Sequence, residues 1–73
     1  MLKEIRIGGT VKPIWKLANE IDFDRTEEKL QKEIEETAIG KAILAEGFKL
    51  TDSDVEDEDP DANEADLTLN YHR

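Results

Sequence analysis

The sequence predicts an α+β fold: a small antiparallel or mixed sheet of three to four short strands, one main helix across it, and a long acidic loop before the last strand. Three observations support this prediction. A chain of 73 residues without cysteine suits one domain with a thin core. Apolar residues recur at helical spacing in the middle of the chain and at strand spacing near both ends. Most of the negative charge lies in one short segment.

The charge distribution divides the chain into three parts. The formal net charge is −9, of which residues 1–50 carry −1 and residues 51–73 carry −8. We therefore expect a compact body over residues 1–50, a flexible acidic loop over residues 51–66 and a C-terminal strand over residues 67–73.

The first predicted element is a strand from Leu2 to Ile7, because β-branched residues alternate there before two glycines. A hairpin loop at Gly8-Gly9-Thr10 would place Ile7 opposite Val11. The path of residues 8–21 has two interpretations, a second strand or a short helix that begins at Pro13. Helical spacing favours one or two helical turns after a strand that reaches about Lys12; the residues at that spacing are Ile14, Leu17, Ala18 and Ile21.

Trp15, the only tryptophan, lies within this ambiguous region. Tryptophan is enriched at the centres of protein interfaces, so Trp15 is a candidate partner contact. In so small a domain the only tryptophan is more often part of the core, and we favour that interpretation.

The main helix is predicted to begin at Asp24-Arg25-Thr26-Glu27, which has the Asp-x-x-Glu pattern of a capping box. It should run to about Glu46, with Gly47 as the C′ residue. Gly40 indicates a kink, a close helix contact or an early stop at Ala38. The apolar residues of the helix recur every three or four positions: Leu30, Ile34, Ala38, Ala42 and Ala45.

Small side chains on this helix would let another backbone approach closely; they are Ala38, Gly40, Ala42 and Ala45. They indicate either an interface between protomers or packing against the chain's own sheet, and we favour the second.

The C-terminal third is predicted to contain a short strand, an acidic loop and a second strand. Phe48-Lys49-Leu50 is typical of a short strand. Between Asp52 and Asp66, nine of fifteen residues are acidic and none is basic, which favours a solvated loop. Pro60 argues against a continuous helix or a central strand there. Beyond the loop, apolar residues alternate with polar ones at Leu67, Leu69 and Tyr71, the period of a half-buried strand.

Catalytic and metal-binding patterns are weak. Ser53 lies between aspartates that would oppose alkoxide formation, and His72 has no evident orienting partner. The string Asp57-x-Asp59-x-Asp61 resembles part of a calcium loop, but Ala62 and Thr68 stand where that loop needs glycine and glutamate. We therefore predict a non-enzyme without cofactor or metal.

The acidic segment is the main functional clue. Charge repulsion opposes direct binding of nucleic acid, whereas a basic protein surface would attract this segment. In an extended loop of about 50 Å the nine charges would lie roughly 5.5 Å apart, sparser than about 3.4 Å per phosphate of a DNA strand. The candidate partner-binding residues are Trp15, Asp52, Asp54, Glu56, Asp57, Glu58, Asp59, Asp61, Glu64 and Asp66.

These features predict a small protein-binding module that occupies a basic surface of a nucleic-acid-handling protein. Similar size and acidity are common among phage and mobile-element inhibitors and regulators. The alternative is a homo-oligomeric assembly protein whose acids serve solubility and protect a sheet edge. No membrane span or signal-peptide core is visible, so we expect a cytoplasmic location.

Overall fold

A computed structural model of the chain describes residues 3–73 and confirms the α+β class. The elements are β1 (Glu4–Val11), β2 (Lys16–Leu17), β3 (Glu20–Ile21), α1 (Phe23–Glu35), α2 (Ala38–Ala45), β4 (Lys49–Asp59) and β5 (Glu64–His72). The main sheet is antiparallel with the order β1-β5-β4, and β2 pairs with β3 in a separate hairpin. Leu2, the start of the predicted first strand, lies outside the described residues.

The core forms where α1 and α2 cover one face of the main sheet. The predicted C-terminal strand is confirmed as β5, and its alternation sends four buried side chains to this face: Ala65, Leu67, Leu69 and Tyr71. Thr26 and Leu30 of α1 and Ile43 of α2 lie in the same buried layer, to which Val11, Ile14 and Phe48 also belong. Full burial of a leucine such as Leu67 or Leu69 contributes about 1.5–3 kcal/mol, so β5 is the strand on which the fold depends most.

The predicted hairpin loop at Gly8-Gly9-Thr10 is wrong, because β1 continues through these residues to Val11. The physical reason is that β5 offers β1 a pairing partner along its whole length. Gly9 also meets a packing requirement: a Cβ there would lie 2.8 Å from Leu30 Cδ1 of α1. The glycine is therefore a site of close helix–sheet approach and not a turn.

The predicted short helix after Lys12 is also wrong. A cis peptide bond joins Lys12 to Pro13, and the β2–β3 hairpin follows, with Ala18 in the left-handed region at φ 58°. The backbone of Trp15 bonds to the start of α1 instead of to its own segment. Its N–H donates to Thr26 Oγ1 at 3.3 Å, and its carbonyl accepts from the Asp22 N–H at 2.7 Å. These tertiary bonds override the helical spacing of the side chains.

The main helix is two helices. α1 begins after the N-cap Asp22, whose side chain accepts from the Arg25 N–H at 3.2 Å, so the cap lies two residues before the predicted Asp24. The break after Glu35 corresponds to the predicted alternative of an early stop near Ala38. Thr37 caps α2 by accepting from the Gly40 N–H at 3.0 Å.

Gly40 lets the first turn of α2 pack directly against the end of α1. It is buried, and a Cβ at this position would overlap the carbonyl oxygen of Ile34 at the end of α1. The close-contact interpretation of Gly40 is therefore correct, and the contact lies within the chain.

The prediction of a long loop over the acidic segment is wrong. Residues 51–59 belong to β4, only residues 60–63 form a turn, and residues 64–66 begin β5. The backbone of β4 forms ladder hydrogen bonds with the buried strand β5. These bonds offset the low strand propensity of the acidic segment. Pro60 lies in the turn, where no ladder donor is needed.

Neither helix among residues 3–73 has the length and hydropathy that crossing a bilayer requires.

Candidate protein-binding face

Within residues 3–73 neither helix lies on the second face of the main sheet, and we call this face the open face. α1 contacts only the opposite side of the sheet: Leu30 packs on Gly9, and Glu27 Oε2 accepts from Ser53 Oγ at 2.6 Å. Along β5, every second side chain therefore points away from the core, beginning with Glu64 and ending with His72.

Two β-bulges determine which β4 side chains reach the open face. The register with β5 shifts between Leu50 and Asp52 and again between Val55 and Asp57. At each bulge two consecutive residues face one partner residue, so the strict two-residue alternation is broken twice. The side chains of β4 that face the core side are Leu50, Ser53, Val55 and Glu58, and the intervening ones face outward.

The result is a cluster of carboxylates on one side of the strand pair, which we call the acidic face. It consists of seven side chains from two adjacent strands: Asp52, Asp54, Glu56, Asp57 and Asp59 of β4, and Glu64 and Asp66 of β5. Of the nine predicted acidic residues, Glu58 and Asp61 do not belong to it. Glu58 pairs with the core-facing Ala65, and Asp61 lies in the turn.

Folding the segment back on itself raises its charge density. Seven steps of about 3.3 Å separate Asp52 from Asp59, so the acidic face extends about 23 Å along the strands. Seven carboxylates over this length give one charge per roughly 3.3 Å, compared with about 3.4 Å for one strand of duplex DNA. Counted along the strand direction, the carboxylates of the two strands together therefore have about the charge density of one DNA strand, which the extended loop would not reach.

Like charges stand directly opposite one another across the two strands. Asp57 pairs with Asp66, and Asp59 pairs with Glu64. Within residues 3–73, only Glu64 of the acidic face reaches a cation, Lys12 Nζ at 3.9 Å. Cross-strand like-charge pairs oppose folding, so this surface holds electrostatic strain that a bound cationic group would relieve.

Threonine hydroxyls hold two carboxylates of the acidic face in place. Thr10 Oγ1 donates to Asp66 Oδ1 at 2.6 Å, and Thr68 Oγ1 donates to Glu56 Oε1 at 3.1 Å. These hydroxyls orient carboxylates without cancelling their charge.

Asn70 marks the centre of the open face. Its side chain is only 5% exposed, its Nδ2 donates to Asp52 Oδ1, and its Oδ1 has no hydrogen-bond partner within the described part of the chain. A buried acceptor without a partner is rare, because leaving it unpaired costs about 1–3 kcal/mol. Because Asn70 is covered, the group that a partner can reach at this position is the carboxylate of Asp52.

A polar cluster closes the other end of the open face. His72 Nε2 lies 3.0 Å from Glu4 Oε2, and His72 Nδ1 lies 2.6 Å from Thr51 Oγ1. Arg6 Nε donates to Glu4 Oε1 at 2.9 Å, and this bond, followed by the one from His72, lowers the pKa of Glu4. The expectation that His72 lacks an orienting partner is thus wrong.

The cluster has hydroxyl, imidazole and carboxylate groups in line, yet it lies on an exposed surface. The His72 and Glu4 side chains are 43% and 44% exposed, and neither of them lines the grooves beside Trp15, Phe48 and Leu44. The hydrogen bonds of this cluster therefore hold the side chains of Glu4 and His72 in fixed positions on the exposed surface.

Trp15 lies apart from the acidic face, on the helical side of the sheet. It is 50% exposed, which overturns the expectation of a core tryptophan. The Arg25 guanidinium stands 5.5 Å from the centre of its ring. Acids of the helices do not join the acidic face either, because α1 covers the other side of the sheet; Glu28, Glu35 and Glu36 line a separate groove with Lys32 and Leu44.

No three or more metal-ligating side chains are grouped so as to hold a metal ion within residues 3–73. Comparisons with family models, with curated proteins and with solved structures find no match for this chain.

Proposed function

We propose that this chain is a non-catalytic protein-binding module whose acidic face occupies a basic, nucleic-acid-binding surface of a partner protein. The observation that supports this proposal best is the charge density of the acidic face, which approaches that of one DNA strand. The proposal keeps the partner class expected from the sequence and moves the binding element from a flexible loop to a paired β-hairpin.

Long-range attraction is the first step of the proposed mechanism. A single-sign surface raises the encounter rate with an oppositely charged partner, and this effect falls as ionic strength rises. Because the carboxylates stand on a hydrogen-bonded strand pair, less side-chain and backbone entropy is lost on docking than for a disordered segment.

Short-range recognition follows at the centre of the face. An arginine or lysine of the partner placed over the exposed Asp52 can donate to its carboxylate, which the buried Asn70 Nδ2 holds in place. Guanidinium groups suit this role, since their fixed fork donates to two acceptors at once. Relief of the repulsion between Asp57 and Asp66 adds to the binding free energy.

Capture from a nuclease-treated cell extract tests the proposal. Three columns carry the wild-type chain, an open-face variant with Asp54→Asn and Asp57→Asn, and a helix variant with Glu33→Gln and Glu36→Gln. Both variants lose the same charge, so net charge is matched between them. We expect basic proteins to be retained by the wild-type and helix-variant columns and to be released by duplex DNA.

The open-face column should retain these proteins at least about fivefold less, as expected when two charge-assisted contacts are lost. Equal retention on the two variant columns would show that only net charge matters and would contradict a specific acidic face. Retained proteins that duplex DNA does not release would contradict occupancy of a nucleic-acid-binding surface.

Self-assembly is the second candidate function, and one observation favours it. α2 exposes Ile39 to 72% beside a groove of about 370 Å³ that is lined by Ile5, Ile43 and Phe48. Sedimentation across a protein concentration series distinguishes the candidates. A dimer that Ile39→Ser dissociates would favour assembly, and a monomer at all concentrations would exclude it.

A further inference from the structure

A second surface of the molecule has the opposite chemistry to the acidic face. A groove of about 600 Å³ runs between the segment Pro13–Trp15 and α1, and its other lining residues are Arg25, Glu28, Lys29 and Lys32. Its volume is within the usual range of ligand sites, about 300–1,000 Å³. Three cations and one carboxylate line it, in a chain whose net charge is −9.

Hydrogen bonds hold the walls of this groove in place. The Trp15 backbone is bonded on both sides, to Thr26 Oγ1 and to the Asp22 N–H. Lys29 Nζ donates to the Pro13 carbonyl at 3.1 Å, which ties the two walls together. These bonds hold the backbone at Trp15 in place, and the Arg25 guanidinium stands 5.5 Å from the centre of the exposed ring.

Two cations of the groove remain directed to solvent. The Arg25 side chain is 66% exposed; it pairs loosely with Asp22, at 3.7 Å, and stands 5.5 Å from the centre of the Trp15 ring. The Lys32 side chain is exposed and has no hydrogen bond or ion pair within residues 3–73. They stand seven residues apart on α1, about 10.5 Å along the helix axis, with the apolar Ile14 and Trp15 beside them.

We propose that this groove binds an acidic peptide segment of a partner protein, with an apolar side chain on Trp15 and carboxylates on Arg25 and Lys32. Charge complementarity supports this occupant. The inference goes beyond the proposed function, because it concerns a different surface and a partner of opposite charge. A chain with both surfaces would bridge a basic protein and an acidic one.

Nucleic acid fits the groove less well than a peptide does. Glu28 stands among the lining residues and would repel a continuous phosphate backbone, whereas separate carboxylates can avoid it.

Fluorescence titration tests the proposal, because Trp15 is the only tryptophan and reports directly on the groove. The probe is a hexapeptide with a central Leu-Phe pair flanked on each side by two glutamates. The control peptide has glutamine at the four glutamate positions. We expect saturable binding of the acidic peptide with a blue shift of the Trp15 emission, and at least about fivefold weaker binding of the control.

Matched variants place the binding in the groove. Lys32→Glu should weaken binding of the acidic peptide at least about fivefold, whereas Lys41→Glu, the same change on exposed α2, should leave it within about twofold. Lys32→Gln provides a milder second variant. Far-UV circular dichroism of each variant establishes that the fold is retained.

Four results would overturn the inference. One is equal binding of the acidic and neutral peptides, and another is an unchanged affinity in Lys32→Glu. The third is a single-stranded oligonucleotide that binds more tightly than the peptide. Low-salt self-association that Lys32→Glu abolishes would assign the groove to a second copy of this chain and would likewise overturn the peptide proposal.

Discussion

The like-charge pair between Asp57 and Asp66 predicts a substitution that stabilises the protein. Asp57→Asn keeps the side-chain shape and removes the repulsion from the carboxylate directly opposite. In water two unit charges about 5.5 Å apart repel by roughly 0.75 kcal/mol, and screening at 0.15 M salt leaves roughly 0.4 kcal/mol. Asp57 has no hydrogen bond or ion pair within residues 3–73 that the substitution would remove.

Neighbouring carboxylates increase this gain. Asp59 lies two positions along β4, about 7 Å away, and Glu56 is adjacent at the bulge. Together they bring the expected stabilisation to about 0.8 kcal/mol, which corresponds to an increase in Tm of about 3–6 °C for a domain of this size.

Urea unfolding followed by far-UV circular dichroism measures the effect at 0.15 M and 1 M NaCl. At 1 M salt the Debye length falls to about 3 Å, so the advantage of Asp57→Asn should nearly vanish. Glu33→Gln removes the same charge from exposed α1 and should change stability by no more than about 0.3 kcal/mol. Loss of stability in Asp57→Asn, or a gain that persists at 1 M salt, would refute the electrostatic reasoning.

Three further predictions concern the fold. Gly40→Ala should lower the free energy of unfolding by at least about 2 kcal/mol, because its Cβ would overlap the Ile34 carbonyl; an unchanged urea midpoint would disprove that contact. Thr37→Ala removes the N-cap of α2 and should cost about 1 kcal/mol in the same assay, whereas Thr37→Ser should retain most of it; equal losses in both would contradict the cap. Burial of Tyr71 and its bond to Glu35 raise the pKa of the phenol, so the associated stability is present below about pH 10 and declines as pH rises further. Tyr71→Phe should lower stability at neutral pH by about 1 kcal/mol and flatten the loss between pH 10 and 11, and an unchanged alkaline loss would exclude Tyr71 as its source.

Elements with a strong local pattern could be predicted from the sequence. Leu67, Leu69 and Tyr71 alternate without interruption, and they form the buried side of β5. The apolar spacing around Leu30 likewise predicts α1. In both places local spacing and tertiary packing favour the same structure, so either signal leads to the right element.

Elements that depend on distant partners could not be predicted. β4 has the composition of a disordered segment, and its bulges break the two-residue period that would have revealed it. Its strand state depends on pairing with β5, which only the folded chain supplies. Similarly, Gly9 is glycine because Leu30 of a later helix packs on it, a contact that no short window of sequence contains.

The sequence predicted which residue types form the candidate site but not how they are arranged in space. The acidic residues were identified from charge alone, but their separation into an acidic face, with Glu58 and Asp61 outside it, follows from the bulges and the turn. Asn70 was missed; its position between alternating apolar residues of β5 was the available signal. Trp15 was identified as a candidate contact, yet the structure places it in a basic groove, away from the acids.

Nuclear magnetic resonance titration with an arginine-rich peptide tests the central claim most directly. The claim predicts that the largest amide shift changes fall on β4 and β5, centred on Asp52 and Asn70, and that 0.5 M salt reverses them. The variant with Asp54→Asn and Asp57→Asn should bind the peptide more weakly than the variant with Glu33→Gln and Glu36→Gln. Shift changes concentrated on α1 or α2, or equal affinities of the two variants, would contradict the assignment of the open face as the binding surface.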